Sequence, residues 1–225
     1  YLIIMNSIKH LALIPARKGS KGLKNKNLIL FDNTANFLKK ISLFDEIHVS
    51  TNEKKLIKKI KKYHFNLHLR KNKFSGDKVS IKKTLQNFIK EKKINKNFFI
   101  WLFYLPIIYK NKKDFLIAMN TIKKKRINSI CSFVHSKSHP FHSWKIKKNN
   151  KISQFIKNDV FRRQDLPRSY DHYHYVCAFK VKEISKLNSE LINSHTFPLV
   201  FSNKTQSKLI EIDTSDDLKK YKGTI

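Results

Sequence analysis

Apolar runs alternate with amphipathic, lysine-rich segments along most of the chain. The apolar runs have the length of buried strands, and the amphipathic segments space their apolar residues as helices do. In the segment 53–63, Leu56, Ile57 and Ile60 fall on one helical face and lysines on the other. Because strands that alternate with helices usually pair in parallel through right-handed crossovers, the pattern predicts an α/β fold with a mostly parallel sheet flanked by helices.

The predicted strands are His10–Pro15, Glu46–Ser50, Asn66–Leu69, Phe98–Phe103, Ser129–Val134, His174–Phe179 and Leu209–Ile212. The predicted helices are Ala35–Leu43, Glu53–Tyr63, Val79–Lys93, Lys112–Lys125, Lys182–Leu187 and Asp216–Tyr221. With 225 residues and 40% hydrophobic content, the chain can form one domain, over residues 1–225, with a full core. Its apolar runs stay shorter than the ~18 residues of a membrane span, so no membrane association is predicted.

The alternation breaks between residues 136 and 175, a stretch rich in histidine, aromatic residues and arginine. The pattern there predicts a β-hairpin, Trp144–Ile146 with Ile152–Phe155, turning at residues 148–150. An irregular segment follows the hairpin. We interpret residues 136–175 as an inserted arm that serves as a lid or a dimer contact.

The formal charge of +32 would suit a polyanionic partner. However, the cations are mostly lysines spread over every helix-like segment, and asparagine, isoleucine and phenylalanine are also abundant, as in proteins of AT-rich genomes. Specific nucleic-acid binding is therefore not predicted, although non-specific binding at low salt is. Cys131 and Cys177 lie in strand-like runs without metal-ligand spacing, which predicts reduced core thiols and a cytoplasmic protein.

The loop 14–27 follows the first predicted strand and contains Gly19 and Gly22, two of the four glycines. Glycine permits positive φ and close approach of the backbone to a ligand. Ser20 and the cations beside it can contact phosphate oxygens. The spacing is neither that of a P-loop nor G-x-G-x-x-G. The loop indicates a nucleotide phosphate cradle, with a lysine-rich surface turn as the alternative.

The chain contains only six arginines, so the presence of arginine instead of lysine at each of these positions needs an explanation. Arg17 lies in the glycine loop, Arg70 ends a strand-like run, and three arginines fall within residues 162–168. A planar guanidinium that binds phosphate or carboxylate through two hydrogen bonds is one reason, and chance retention is the other. In open α/β sheets the ligand lies at the carboxyl ends of the strands, where the loop and Arg70 fall.

Candidate metal ligands are less specific. Glu211 and Asp213 flank Ile212 on a predicted strand, so both carboxylates share one face and could bind a divalent cation, although such a pair is more often a solvated face. Asp77 could be either a helix cap or a functional group. Five clustered histidines lack regular zinc-ligand spacing and are predicted to be solvated or hydrogen-bonded: His135, His139, His142, His172 and His174.

Several motifs occur in the order found in one family: the loop Ile14–Asn27, Val49-Ser50-Thr51, Leu69-Arg70 with Ser75-Gly76-Asp77, Arg162-Arg163-Gln164-Asp165-Leu166-Pro167, and Ile212-Asp213-Thr214 followed by Asp217-Leu218. Over nearly its whole length the chain resembles the acylneuraminate cytidylyltransferases, or CMP-sialic acid synthetases. The related 3-deoxy-manno-octulosonate cytidylyltransferases have a first loop without the Gly-Ser-Lys-Gly core, so the resemblance favours the sialic acid type.

The resemblance implies a Rossmann-like nucleotidyltransferase fold and a homodimer in which the arm reaches the neighbouring subunit. It implies an enzyme that couples CTP to a nine-carbon 2-keto sugar acid and releases pyrophosphate, with Mg2+ as cofactor. The implied nucleotide-binding residues are Arg17, Gly19, Ser20, Lys21, Lys26, Asn27, Arg70 and Ser80. Those implied for the sugar acid are Tyr104, Arg163, Gln164 and Tyr173; for the metal, Glu211 and Asp213; and for catalysis, Arg17, Lys21 and Asp213.

Three features depart from the family pattern. The segment Leu28–Leu43, between the first loop and the second strand, is about six residues shorter than usual. The family's Gln-Pro-Thr-Ser-Pro-Leu-Arg is replaced by Leu102–Ile108, and its Asn-Gly-Ala by Tyr173-His174-Tyr175. We expect an apolar pocket floor from Phe103, Tyr104 and Leu105, and hence a sugar with fewer free hydroxyls than N-acetylneuraminate. Two other interpretations stay open: nucleotidyl transfer to another sugar acid or a sugar phosphate, and a non-catalytic nucleotide- or nucleic-acid-binding relative.

Overall fold

The computed structural model describes residues 8–19 and 21–221. Its strands are β1 (His10–Pro15), β2 (Glu46–Thr51), β3 (Asn66–Leu69), β4 (Phe99–Leu102), β5 (Ser129–His135), β6 (Trp144–Ile146), β7 (Ile152–Gln154), β8 (Tyr170–Lys180) and β9 (Phe197–Val200). Its α-helices are α1 (Lys26–Ile41), α2 (Lys54–Tyr63), α3 (Ile81–Glu91), α4 (Lys112–Lys125), α5 (Asn203–Gln206) and α6 (Ser215–Lys220).

A seven-stranded sheet in the order β3-β2-β1-β4-β8-β5-β9 forms the centre of the molecule. Strand β1 pairs in parallel with β2 and β4, β2 with β3, and β5 with β9. Only β8, among the strands described in this sheet, runs antiparallel to its neighbours, β4 and β5. The prediction of an α/β fold with a mostly parallel sheet is confirmed.

The sheet is buried on both faces, as parallel sheets require. In β1, Leu11 and Leu13 pack into one hydrophobic cluster while Ala12 and Ile14 pack into the other. Alternate residues of a strand point to opposite faces, so a continuous apolar run serves both layers. The carboxyl end of β1 therefore leads out of a rigid core directly into the loop 14–27.

The predicted and observed elements differ where tertiary contacts outweigh local pattern. Helix α1 begins at Lys26, nine residues before the predicted start, after Asn25 in a left-handed conformation. The predicted helix Lys182–Leu187 is a 3-10 turn at Val181–Glu183. The predicted strand Leu209–Ile212 makes only an isolated bridge, between Ile107 and Glu211. Strand β9 was not predicted, since its Pro198 weakens a strand pattern.

The arm contains the predicted hairpin, in which β6 pairs antiparallel with β7. It also exposes large apolar side chains, including Phe161 at 88%, Ile146 at 80% and Phe155 at 59% of their possible surface. No helix in the described part of the chain combines the length and the apolar character that crossing a bilayer requires.

Candidate active site

Two adjoining clefts open at the carboxyl ends of β1 and β4. The first, here the loop cleft, has a volume of about 230 Å³. The second, here the histidine cleft, has a volume of about 470 Å³. Ile81, Tyr104 and Pro106 line both clefts, so a single ligand can extend from one into the other. This is the edge of the sheet at which α/β proteins bind their ligands.

The loop cleft is lined by Arg17, Lys26, Asn27 and Arg70, as the sequence predicts for a phosphate cradle. The Asn27 side chain donates a hydrogen bond to the Arg17 carbonyl oxygen (2.7 Å), which fixes the loop against α1. The backbone N–H of Lys18 donates to Asn52 Oδ1 (2.7 Å), which ties the loop to the end of β2. The loop is thus held from two sides, and its cations face the cleft from a defined backbone.

The two described glycines of the loop have different roles. Gly19 has φ +83°, a left-handed conformation that favours glycine, and it lines a smaller recess beside the loop cleft. Gly22 lies against the backbone of Asp213, and a Cβ atom there would collide with the Asp213 carbonyl oxygen. Gly22 therefore allows the loop to contact the segment that carries the two predicted metal ligands. Ser20, between them in the same loop, lies outside the described residues.

Carboxylates pair with the loop cations. Asp77 accepts from Arg17 Nη1 (2.6 Å) and Lys21 Nζ (2.8 Å), and Asp213 Oδ1 lies 2.5 Å from Lys26 Nζ. Hydrogen bonds from Lys21 and Arg17 hold the pKa of the Asp77 carboxyl below its usual value. Asp77 is not the cap of α3, because that position belongs to Ser80, which accepts a hydrogen bond from Lys83 N. Exposed ion pairs of this kind are weak, so phosphate oxygens can exchange with Asp77.

Arg70 is the buried cation of the loop cleft, with only 5% of its surface exposed. Its Nη2 donates to the Ser50 carbonyl oxygen (3.0 Å) and its Nε to Ser50 Oγ (3.2 Å). Burial, together with the nearby Arg17, lowers the pKa of Arg70 to about 10. Two neighbouring guanidinium groups repel each other, and an anion placed between them relieves that repulsion.

Glu211 and Asp213 lie on either side of the buried Ile212, with Glu211 lining the histidine cleft. Burial and the neighbouring Asp213 raise the pKa of the Glu211 carboxyl. Asp217 accepts hydrogen bonds from the backbone N–H groups of Asp213 (3.1 Å) and Thr214 (2.9 Å), which fixes this segment at the start of α6. Asp213 lines neither of the two clefts and pairs with Lys26. Two neighbouring carboxylates offer the oxygen donors that suit a hard divalent cation such as Mg2+.

The histidine cleft contains Tyr104 and Tyr173, which were predicted for the sugar acid, and Ser80, which was predicted for the nucleotide. It also contains residues that were not predicted as site residues: His172, His174, Ser189 and Glu190. The histidines were noticed in the sequence only as a cluster without metal-ligand spacing. Glu190 follows β8 by ten residues and had no local signal. Its approach to the histidines depends on the tertiary structure, which explains why the sequence did not reveal it.

The expectation of an apolar floor is wrong for two of its three residues. Phe103 and Leu105 are buried in the core, and only Tyr104 of the three lines the cleft. Tyr104, Pro106 and Ile107 line the cleft around the turn at residues 105–106. The segment Leu102–Ile108 lacks the polar groups of the family pattern. The polar groups that line the cleft come instead from β8 and from residues 189–190.

Arg163 and Gln164 lie in a 3-10 turn of the arm and are exposed. They line neither the loop cleft nor the histidine cleft of their own chain. The adjacent Arg162 pairs with Asp165 through two hydrogen bonds, of 2.6 and 3.0 Å. Their predicted role at the sugar acid stays a prediction, and it requires the arm to meet a site other than that of its own chain.

The family model described as Cytidylyltransferase matches residues 11–222. The chain belongs to the cytidylyltransferase family. Its phosphate-cradle loop, Arg70 and the Glu211–Asp213 segment all lie inside the matched region, and the predicted nucleotidyltransferase fold is confirmed. No curated protein sequence matches this cytidylyltransferase.

Two solved structures show the same fold. One is a CMP:2-keto-3-deoxy-manno-octonic acid synthetase complexed with CTP, with a TM-score of 0.66 at 14% identity, covering 96% of this chain and 97% of that one. The other is the 4-diphosphocytidyl-2C-methyl-D-erythritol synthase of Anaerococcus prevotii DSM 20548, with a TM-score of 0.59 at 14% identity, covering 96% and 95%. At this identity the similarity establishes the fold of the cytidylyltransferase. It does not identify the molecule that accepts CMP.

Proposed function

We propose that this cytidylyltransferase transfers CMP from CTP to a sialic-acid-like 2-keto sugar acid and releases pyrophosphate. The observation that carries the proposal is the junction of the two clefts. A cationic cleft of the right character for a triphosphate opens into a larger cleft lined by hydrogen-bonding side chains, and Tyr104 and Pro106 belong to both. A nucleotide in the first and a sugar in the second would meet at this junction.

The triphosphate would occupy the loop cleft. Arg17, Lys26 and Arg70 present three cations to it, and Arg70 is held in place by Ser50 before any ligand arrives. A preorganised cation stabilises phosphate charge without the cost of reorganising at the moment of reaction. Lys21, released from Asp77, would add a fourth positive charge at the exposed side of the loop.

The chemistry that follows is an in-line displacement. A hydroxyl oxygen of the sugar acid attacks the α-phosphorus of CTP, the α–β phosphoanhydride bond breaks, and pyrophosphate leaves. Such a transfer depends mainly on positioning and on neutralising the charge of the leaving group. The loop cations lie on the side where that charge develops.

Glu211 and Asp213 would hold Mg2+, which when bound supplies further positive charge to the phosphates. Lys26 Nζ donates a hydrogen bond to Asp213 Oδ1 (2.5 Å), so the proposed metal ligand and a phosphate-binding cation are in direct contact. Gly22 sets the distance between the loop and this segment. The contact therefore links the phosphate cradle to the metal ligands mechanically.

The arm would complete the sugar site from a second subunit. Trp144, Ile146, Phe155 and Phe161 expose more apolar surface than a free hairpin normally leaves in water. Burying it in a homodimer would also move the exposed Arg163 and Gln164, which line neither the loop cleft nor the histidine cleft of their own chain, to the neighbour's sugar site. The guanidinium of Arg163 would then bind the carboxylate of the sugar acid.

A different sugar acid is the second candidate, and one observation favours it. His172, His174 and Glu190 line the acceptor cleft in addition to the predicted tyrosines, so the polar groups available to the sugar differ from those that the family pattern implies. Pyrophosphate release from CTP with Mg2+, measured across a panel of 2-keto sugar acids that includes N-acetylneuraminate, tests both candidates. Release with one acid and none with sugar phosphates is expected, and ATP, GTP or UTP should replace CTP poorly.

A further inference from the structure

Three potential metal ligands converge in the histidine cleft. One ligand atom from each of His172, His174 and Glu190 lies within 4.8 Å of the other two. The rings of His172 and His174 are 4.2 Å apart between their centroids. All three residues line the cleft, so the point at which they converge is open to a molecule bound there.

A β-bulge lies next to this convergence. Along β8, Tyr173 pairs with Ser132 of β5 but the next paired residue is Cys177, opposite Cys131, so residues 174–176 have no partner in the ladder. The Ser132 hydroxyl fills the gap, donating to the Tyr173 carbonyl oxygen and accepting from Val176 N (2.9 Å). Bulges of this kind redirect side chains at functional sites.

The turn that carries Glu190 is equally well defined. The side-chain oxygen of Asn188 accepts from the backbone N–H groups of Glu190 (2.9 Å) and Ile192 (3.1 Å). Leu191, which follows Glu190, is buried to 1% exposure and has φ 62°. A buried leucine with positive φ anchors the turn, so the backbone of Glu190 has a defined position relative to β8.

The imidazole nitrogens are available to an ion. His174 Nε2 is buried, has no hydrogen-bond partner among the described residues, and lies 3.7 Å from Glu190 Oε2. His172 Nε2 contacts Cys131 Sγ at 2.9 Å, so Nδ1 of this ring is the nitrogen that would bind the ion. A buried ring nitrogen normally finds a partner, and a metal ion bound here would supply one.

We propose that His172, His174 and Glu190 form a binding site for a Zn2+-type ion in the acceptor cleft. Two imidazole nitrogens and one carboxylate oxygen are the donor set of zinc sites that keep a fourth position open. The site is chemically distinct from Glu211 and Asp213, whose oxygen donors suit Mg2+. Its open position faces the cleft and, if the proposed function holds, would bind an oxygen of the sugar acid.

Calorimetric titration of the metal-free protein with Zn2+, without nucleotide, tests the site. One equivalent should bind, and Co2+ should give the visible absorption of a four- or five-coordinate ion. His174→Ala and Glu190→Gln should each weaken Zn2+ binding by at least about a hundredfold. Adding 2-keto-3-deoxy-manno-octonic acid to the Co2+ form should shift the absorption bands, because an oxygen would enter the open position.

His195→Ala is the matched control, because His195 is exposed and lies outside both clefts, and it should leave Zn2+ binding unchanged. Thermal unfolding and CTP titration of each variant show that the fold and the loop cleft are intact. Equal Zn2+ affinity in the parent and His174→Ala, or equal loss in His195→Ala, would each overturn the metal site, and Co2+ bands that the acid does not alter would overturn its contact with the sugar acid. Because the Zn2+ titrations need no turnover, failure of the transferase assay with every acid would refute the proposed function and leave this site standing.

Discussion

Gly22→Ala is the sharpest perturbation of the contact between the phosphate loop and the metal-binding segment. The added Cβ would lie well inside van der Waals distance of the Asp213 carbonyl oxygen, so the loop or the Asp213 segment must retreat by about 1 Å to reach ordinary contact. Both segments are exposed on their outer side, so we expect the fold to survive. Overpacking costs typically about 1–3 kcal/mol, and this exposed site should fall at the lower end.

The effect on turnover should be larger than the effect on stability. A misplacement of about 1 Å in a catalytic constellation can cost roughly a hundredfold in rate. We therefore expect the kcat of pyrophosphate release to fall about a hundredfold in Gly22→Ala, with an increased Mg2+ requirement, while the midpoint of urea unfolding changes little.

Gly76→Ala is the matched control for this prediction. A Cβ at Gly76 would meet only Val79 Cγ2, at 3.8 Å, which is an ordinary contact. Its kcat and stability should equal those of the parent within about twofold and ~0.5 kcal/mol. The reasoning is refuted if Gly22→Ala retains parental turnover and Mg2+ dependence, because the contact with Asp213 would then have no mechanical role.

Four further outcomes follow from the structure. Asp77→Asn removes a negative charge that competes with phosphate for Arg17 and Lys21, so calorimetry should show CTP binding a few-fold tighter; weaker binding would mean that Asp77 positions the cations instead. Asp213→Asn should lower kcat at least about a hundredfold with an unchanged melting temperature, and near-normal turnover would remove Asp213 from the mechanism. The parent should be a dimer by light scattering at micromolar concentration, and Trp144→Ser with Phe161→Ser should be monomeric; a monomeric parent contradicts this. Burial lowers the pKa of Lys110 to about 7. Between about pH 7 and 10.5 the unfolded state therefore binds more protons than the folded state, and the free energy of unfolding should rise with pH by up to about 1.4 kcal/mol per unit. Urea titrations at several pH values should show that Lys110→Met loses this slope.

Elements whose pattern depends on burial alone could be predicted closely. The bounds of β1 and α4 agree with the predicted ones, since β1 is a continuous apolar run and α4 is an amphipathic segment with clear ends. The bounds of β3 also agree, although its buried residue is His68 and Leu69 is exposed. The start of α1 could not be predicted, because Asn25 begins the helix with a left-handed backbone and makes no capping hydrogen bond with its side chain. Local sequence carries no signal for such a start, and buried residues such as Phe31 stabilise it through tertiary contacts.

The site divides in the same way. The phosphate loop and Arg70 were predicted because glycine and arginine are scarce and fall at strand ends, where ligands bind. The grouping of Glu190 with His172 and His174 was not predicted, because it depends on a turn that follows β8 by ten residues and brings Glu190 to the histidines. Tyr104 lines the cleft while Phe103 and Leu105 are buried, and this difference depends on the path of the chain after β4.

The central claim is that CMP passes from CTP to a 2-keto sugar acid. The most direct measurement uses CTP labelled with ³²P at the α-phosphate, Mg2+, and each acid of the panel in turn, with separation of the products. With one acid, the label should move into a CMP-sugar acid in equal amount to the unlabelled pyrophosphate released, and Asp213→Asn should abolish both. Label that appears only in free CMP, or that stays in CTP with every acid, would contradict it.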